Sequence, residues 1–197
     1  MSGTIEDLLE SSGAMAAGHF VMADGRHTDR LLRPVKILQF PPYCRKAAYE
    51  IVKHYWDMDV QLVVAAEAGA ILFAAEIARQ LEARIVYSLA ELDDPAAEFE
   101  LREGFSMHPG DRIMLVDTIR TADYPHLRAL GRRILQNDAR LIGTSTMFDV
   151  SGEGTMMGAR QISVLRTERS IWPAEACPLC AAGTPLDDPA ALGKSHL

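Results

Sequence analysis

Asp117 comes directly after the apolar run Ile113-Met114-Leu115-Val116. Ligands on parallel sheets bind beyond the carboxyl ends of the strands. Asp117 at such a strand end serves equally as a functional carboxylate or as a helix N-cap. Glu67, beside Gly69, comes after a second apolar run, and capping of the next helix is the expected role, ligand binding the alternative. His19 and His27 flank the turn residues Asp24 and Gly25, and as lone imidazoles they are expected to be surface or structural groups. Arg120 and Tyr124 could shape a pocket or only fill space. Cys177-Pro178-Leu179-Cys180 has the spacing of half a zinc site, but a structural zinc needs four ligands and no second cysteine pair exists. Only Cys44 and scattered histidines could complete it, so the expectation is no metal and a turn in a C-terminal tail.

These groups need a frame, and hydrophobic periodicity supplies one. Residues 5–15 carry Ile5, Leu8 and Leu9 at near-helical spacing behind Thr4 as N-cap, with Gly18 as the stop. Residues 19–34 read as extended pieces around the turn Ala23-Asp24-Gly25-Arg26. Pro41 and Pro42 open a helix through about residue 57, in which Ala47, Ile51, His54 and Tyr55 recur at three and four. Strand patterns occur at 60–66, 84–89, 112–116 and 140–148, with helices to Leu81 and over 125–137. Buried strands alternating with helices imply βαβ units and a mostly parallel sheet. Residues 90–104 are acidic and suggest a mobile loop or a projecting hairpin. The tail from Ile171, with Pro173, Pro178, Pro185 and Pro189, should be irregular.

Composition narrows the function classes. A chain of 197 residues with 48% apolar content can bury one sizeable core, so a single domain is expected over residues 1–197. The net charge of -7 and pI near 5.3 oppose nucleic acid or anionic lipid as the main partner and favour a small-molecule substrate, a nucleotide or a protein. No apolar run approaches the roughly 20 residues of a membrane span, and the N-terminus lacks a basic segment leading into an apolar core. Three cysteines, an odd count in a chain of this size, argue for a reducing compartment without disulfides. A cytoplasmic location is therefore expected.

The segment Ile113-Met114-Leu115-Val116-Asp117-Thr118-Ile119-Arg120-Thr121-Ala122-Asp123-Tyr124-Pro125 resembles the ribose-phosphate signature of the type I phosphoribosyltransferases. Residues 18–30 resemble the N-terminal hood segment of the orotate phosphoribosyltransferases. Val63-Val64-Ala65-Ala66-Glu67-Ala68-Gly69-Ala70-Ile71 resembles their pyrophosphate loop, and Cys177-Pro178-Leu179-Cys180-Ala181-Ala182-Gly183 with Pro185 the tail of one branch. The resemblance runs from about Gly18 to Pro189. It implies an α/β fold with a mostly parallel central sheet flanked by helices, a small hood from about residues 1–40 and a tail over 171–197. It also implies a homodimer and the transfer of a phosphoribosyl group from phosphoribosyl pyrophosphate to a pyrimidine-type base, a pentosyltransferase step of pyrimidine nucleotide synthesis. Mg2+ would be present only with that substrate. The implied site residues are Asp117 for catalysis and Thr121, Ala122, Asp123, Tyr124 and Pro125 for the phosphate. Ala66, Glu67, Ala68, Gly69 and Ala70 would form the pyrophosphate loop, and Arg26, His27 and Val150 the base site.

The signature departs from the family pattern where the chemistry is most demanding. Thr118 stands where the second acidic residue belongs, removing a charge that would stabilise positive character on the ribose. Asp123, Tyr124 and Pro125 occupy Gly-Gly-Ser positions, so a carboxylate faces the phosphate, an amide donor is lost and glycine's backbone freedom is gone. Such a carboxylate costs a few kcal/mol at intermediate dielectric. Ala65, Ala66, Ala68 and Ala70 replace Gly, Pro, Thr and Gly around Glu67 and Gly69. Residues 88–104 hold Glu91, Asp93, Asp94, Glu98, Glu100 and Glu103 against Arg102, where active relatives place lysines and arginines. Such a run is most often a solvated face, with a basic partner or a divalent ion as the rarer alternatives. Val150 takes the place of the arginine that would meet the orotate carboxylate. The expectation is weak or absent activity. The alternative is a non-catalytic binding or regulatory paralogue that pairs with an active enzyme or senses a nucleotide.

Overall fold

The computed structural model describes residues 4–87, 103–122 and 125–189. In chain order the elements begin with α1 (Ile5–Ser11), β1 (Met15–Val21), β2 (His27–Leu32), α2 (Val35–Leu38) and α3 (Pro41–Val52). Next come β3 (Leu62–Ala65), α4 (Ile71–Leu81), β4 (Arg84–Tyr87), β5 (Arg112–Arg120) and α5 (Pro125–Gln136). The chain continues through β6 (Arg140–Asp149), β7 (Thr155–Met156), β8 (Ala159–Arg166), β9 (Ile171–Trp172) and α6 (Pro178–Ala181). Two units emerge, one from residues 1–36 with 168–197 and the other from 37–167.

The larger unit is an α/β sheet in the order β4-β3-β5-β6-β8-β7. Its strands are parallel except that β7 and β8 form an antiparallel hairpin. Leu62, Val64, Ile113 and Leu115 form one core with Leu127, Leu130 and Ile134, which recur at helical spacing on α5. The alternating residues Val63, Met114 and Val116 are equally buried, and α3 and α4 pack on one another, with α4 against β3, β4 and β5. Coverage of both faces explains why these strands read as unbroken apolar runs. Among the described residues no helix is long and apolar enough to cross a membrane.

The smaller unit joins the β1-β2 hairpin to β9, in the order β1-β2-β9. Thr4 caps α1 as expected, in a reciprocal pair with Asp7, but the helix ends at Ser11 rather than near Met15. Gly18 is not its stop; it lies inside β1, where the register shifts between Ala17 and Phe20. In the larger unit α3 stops at Val52, short of residue 57, because the amides of His54 and Tyr55 turn to carbonyls three residues back. β5 runs on to Arg120 instead of ending near Asp117, since β6 continues to pair with it. The tail is not wholly irregular: Ile171 and Trp172 pair with Thr28 and His27.

Cys44 lies buried in α3 with its thiol 3.8 Å from the Leu72 carbonyl. Burial, and secondarily the Glu76 carboxylate, push this thiol up from about 9 to about 11. A thiol so raised stays protonated at pH 8, so iodoacetamide should leave Cys44 unmodified in the native chain and label it on unfolding, as peptide mass spectrometry would show. Linkage sets the sign of the accompanying pH dependence. The unfolded thiol ionises first as pH rises from about 9 to about 11, so stability present below pH 9 falls across that window.

Candidate functional site

The carboxyl ends of β3, β5 and β6 lie side by side, with Ala65 opposite Val116, Asp117 opposite Thr146 and Arg120 opposite Asp149. This is the edge at which a parallel sheet binds ligands. Beyond β3 the chain passes through extended Glu67 into a single tight turn at Ala68–Ala70. Glu67 makes no side-chain cap, contrary to the expected role; its Oε1 accepts a 2.7 Å hydrogen bond from Thr118 Oγ1. The Ala66 amide donates to the Val116 carbonyl and the Ala70 amide to the Glu67 carbonyl, so both are engaged. Ala68 and Gly69 are exposed. A β-carbon on Gly69 would sit 3.3 Å from Glu67 Oε1, so glycine leaves that carboxylate room.

Asp117 is fully buried within β5, and its Oδ1 accepts from the Thr118 amide. The strand's alternation sends Thr118 to the opposite face, where it meets Glu67. Thr121 is half-buried and Ala122 exposed. Asp123 and Tyr124 lie outside the described residues, as does the acidic run over residues 91–102; Glu103 is exposed. Pro125 opens α5, its side chain also outside the described residues.

Arg120 does not shape an open pocket. Its guanidinium is buried and donates to Glu153 Oε2 at 2.5 Å, to the Glu153 carbonyl at 3.2 Å and to the Thr155 carbonyl at 3.1 Å. Asp149 Oδ2 lies 3.9 Å from it, and the buried Asp149 also accepts from the amide and hydroxyl of Ser151. Arg166 approaches the same carboxylate at 3.4 Å. Val150, half-buried, donates its amide to the Arg120 carbonyl. Periodicity could not reveal this network, because Arg120 and Asp149 become neighbours only through the β5-β6 register.

In the smaller unit Arg26 is exposed and paired with Asp24 at 2.7 Å. Hydrogen bonds from Arg26 hold the Asp24 carboxyl below its ordinary value. His27, expected over the base site, is buried and turned toward His19, 3.1 Å from ring nitrogen to ring nitrogen. Cys177 and Cys180 complete the group, and the four ligand atoms all lie within 4.8 Å of one another. The sequence left Cys44 and scattered histidines as the groups that could complete the cysteine pair. Its partners are the two histidines across the hairpin turn, while Cys44 is not part of the cluster.

The architecture is that of the type I phosphoribosyltransferases. The orotate phosphoribosyltransferase from Aeropyrum pernix superposes with a TM-score of 0.63 at 20% identity, over 83% of this chain and 93% of that one. An adenine phosphoribosyltransferase from Trypanosoma brucei gives 0.62 at 12% identity, over 84% and 80%. Leishmania donovani UMP synthase gives 0.61 at 16% over 83% of this chain, which spans only 36% of that longer protein. In sequence the chain is similar to orotate phosphoribosyltransferases. It is 27% identical to that of Chlorobaculum parvum, over 96% of this chain and 95% of the relative. It is 27% identical to that of Thermotoga maritima over 96% and 98%, and 29% identical to one from Chlorobium phaeobacteroides over 93% and 92%. No family model matches the chain.

Proposed function

We propose that this chain is an orotate phosphoribosyltransferase-like protein whose activity on phosphoribosyl pyrophosphate is weak or lost. The observation that carries this reading is the hydrogen bond from Thr118 to Glu67. It joins the position where a second acidic residue would face the ribose to the carboxylate of the pyrophosphate loop. A neutral hydroxyl there cannot stabilise positive charge developing on a sugar, and it occupies one lone pair of Glu67. Asp117 would steady the ribose and Thr121 with neighbouring amides would hold the 5-phosphate, but Asp117 is fully buried in β5. Among the described residues of the two loops the carboxylates are Glu67, engaged by Thr118, and buried Asp117. That donor set does not suit a resident Mg2+, which wants a near-octahedral set of oxygens.

Calorimetric titration with phosphoribosyl pyrophosphate and Mg2+ tests the proposal, with little heat as the expected result. Micromolar binding together with orotate turnover would overturn it. Changing Asp123→Gly, Tyr124→Gly and Pro125→Ser together should tighten binding by on the order of tenfold to a hundredfold, as removal of a misplaced charge worth a few kcal/mol implies. No gain would move the obstacle from that loop to the acidic run.

A further inference from the structure

We propose that His19, His27, Cys177 and Cys180 form a structural zinc site that fastens the β1-β2 hairpin to α6. Two imidazoles and two thiols form the closed, soft four-donor set that selects zinc in tetrahedral geometry and leaves no position open for substrate. Their spacing fits that geometry. Zinc bonds of about 2.0–2.1 Å to nitrogen and about 2.3 Å to sulfur place tetrahedral neighbours about 3.3 Å apart for two nitrogens and about 3.6 Å apart for nitrogen and sulfur. His19 Nε2 lies 3.1 Å from His27 Nδ1, 3.4 Å from Cys177 Sγ and 3.7 Å from Cys180 Sγ, and Cys180 Sγ lies 3.3 Å from His27 Nδ1.

Proton accounting points the same way. His19 Nδ1 lies 2.9 Å from the Thr184 carbonyl, an acceptor only, so this nitrogen carries the proton of the neutral ring and Nε2 presents its lone pair to the cluster. That outer hydrogen bond is the kind that orients a metal-bound histidine. Either His27 Nδ1 carries a proton and competes with the thiols for the one His19 lone pair, or two ring lone pairs face one another at 3.1 Å; one central cation relieves both arrangements. His19, His27 and Cys177 are buried, and Cys180 closes the exposed side. On binding, each thiol yields its proton to solvent, and two thiolates and two neutral imidazoles leave a Zn2+ centre with no net charge.

The inference involves only the smaller unit and stands whether or not the sheet edge turns over substrate. The test is metal analysis of the full untagged chain, kept reduced and reconstituted with zinc chloride. One zinc per chain is expected. Cobalt substitution should add tetrahedral visible bands and thiolate-to-metal charge transfer in the near ultraviolet. Cys180→Ser should weaken zinc binding by tenfold or more, while Cys44→Ser retains full occupancy. Should Cys180→Ser fail to fold, the stoichiometry and cobalt spectrum of the unaltered chain still decide. A folded, reduced chain holding well under one zinc after reconstitution, or a cobalt form without charge transfer, overturns the proposal.

Discussion

Replacing Arg120 by alanine is expected to destabilise the protein by about 3 kcal/mol, the lower end of what breaking a buried ion pair costs. The guanidinium satisfies two backbone carbonyls and the Glu153 carboxylate, and lies beside the fully buried Asp149. Removal leaves Asp149 with Ser151 and with Arg166, whose side chain is 51% exposed and screened by water. Lysine should recover only part of the loss, because one ammonium cannot span the fork of acceptors that a planar guanidinium reaches. Changing Arg120→Met and Asp149→Leu together should cost less than the sum of the single changes, since neither then strands a buried charge. Urea denaturation of the set reads all three statements. An Arg120→Ala midpoint equal to that of the unaltered chain would show the network to be ornamental.

Gly143→Ala is expected to cost about 2–3 kcal/mol through overpacking. Gly143 lies in β6 under the ring of Tyr55, and an added β-carbon would overlap Tyr55 Cε1 and Oη and come 2.7 Å from Cζ. The ring cannot swing aside. It is fully buried, and its hydroxyl donates toward the Arg160 carbonyl at 3.2 Å, with the Thr144 carbonyl at 3.4 Å. Burial pushes the phenol above its ordinary value, which keeps it a donor. Tyr55→Leu alone should be destabilising through the cavity it leaves, yet in the Gly143→Ala background its added cost should shrink, because the new methyl then has space. Strictly additive thermal or urea data would mean that the strand shifts instead of the ring being struck.

The alternation from β3 to β6 was legible because strands buried on both faces carry runs such as Val63-Val64-Ala65 and Met114-Leu115-Val116, which nothing else explains at that length. β8 escaped the same reading. Gln161 and Ser163 interrupt its apolar residues, and Gln161 is buried only because its side chain bonds Thr144 and Thr146 on the neighbouring strand. A buried polar residue satisfied by a cross-strand partner cannot be told from a surface one until the partner is in place. The first helix was overdrawn because Ala14, Met15, Ala16 and Ala17 suit a helix as well as the strand that tertiary pairing made of β1. At the sheet edge Glu67 and Asp117 stand out by type and position and Thr121 only through the resemblance, but their partners do not, since hydrogen bonds such as Thr118 to Glu67 span 51 residues. The histidine-cysteine cluster was hidden for the same reason: Cys177 and His19 are 158 residues apart.

The three-stranded sheet draws on both ends of the chain, with Thr28 bonded to the Ser170 carbonyl 142 residues later. At translation rates of about 5–20 residues per second, roughly 7 to 30 s separate the two on the ribosome. During that interval the nascent hairpin offers an open strand edge to any neighbouring polypeptide. Residues 37–167 form a unit contiguous in the chain, so its contacts involve no such wait. Biogenesis should therefore be most vulnerable to chaperone shortage, and to truncation upstream of Ser170, at the hairpin rather than in the large sheet.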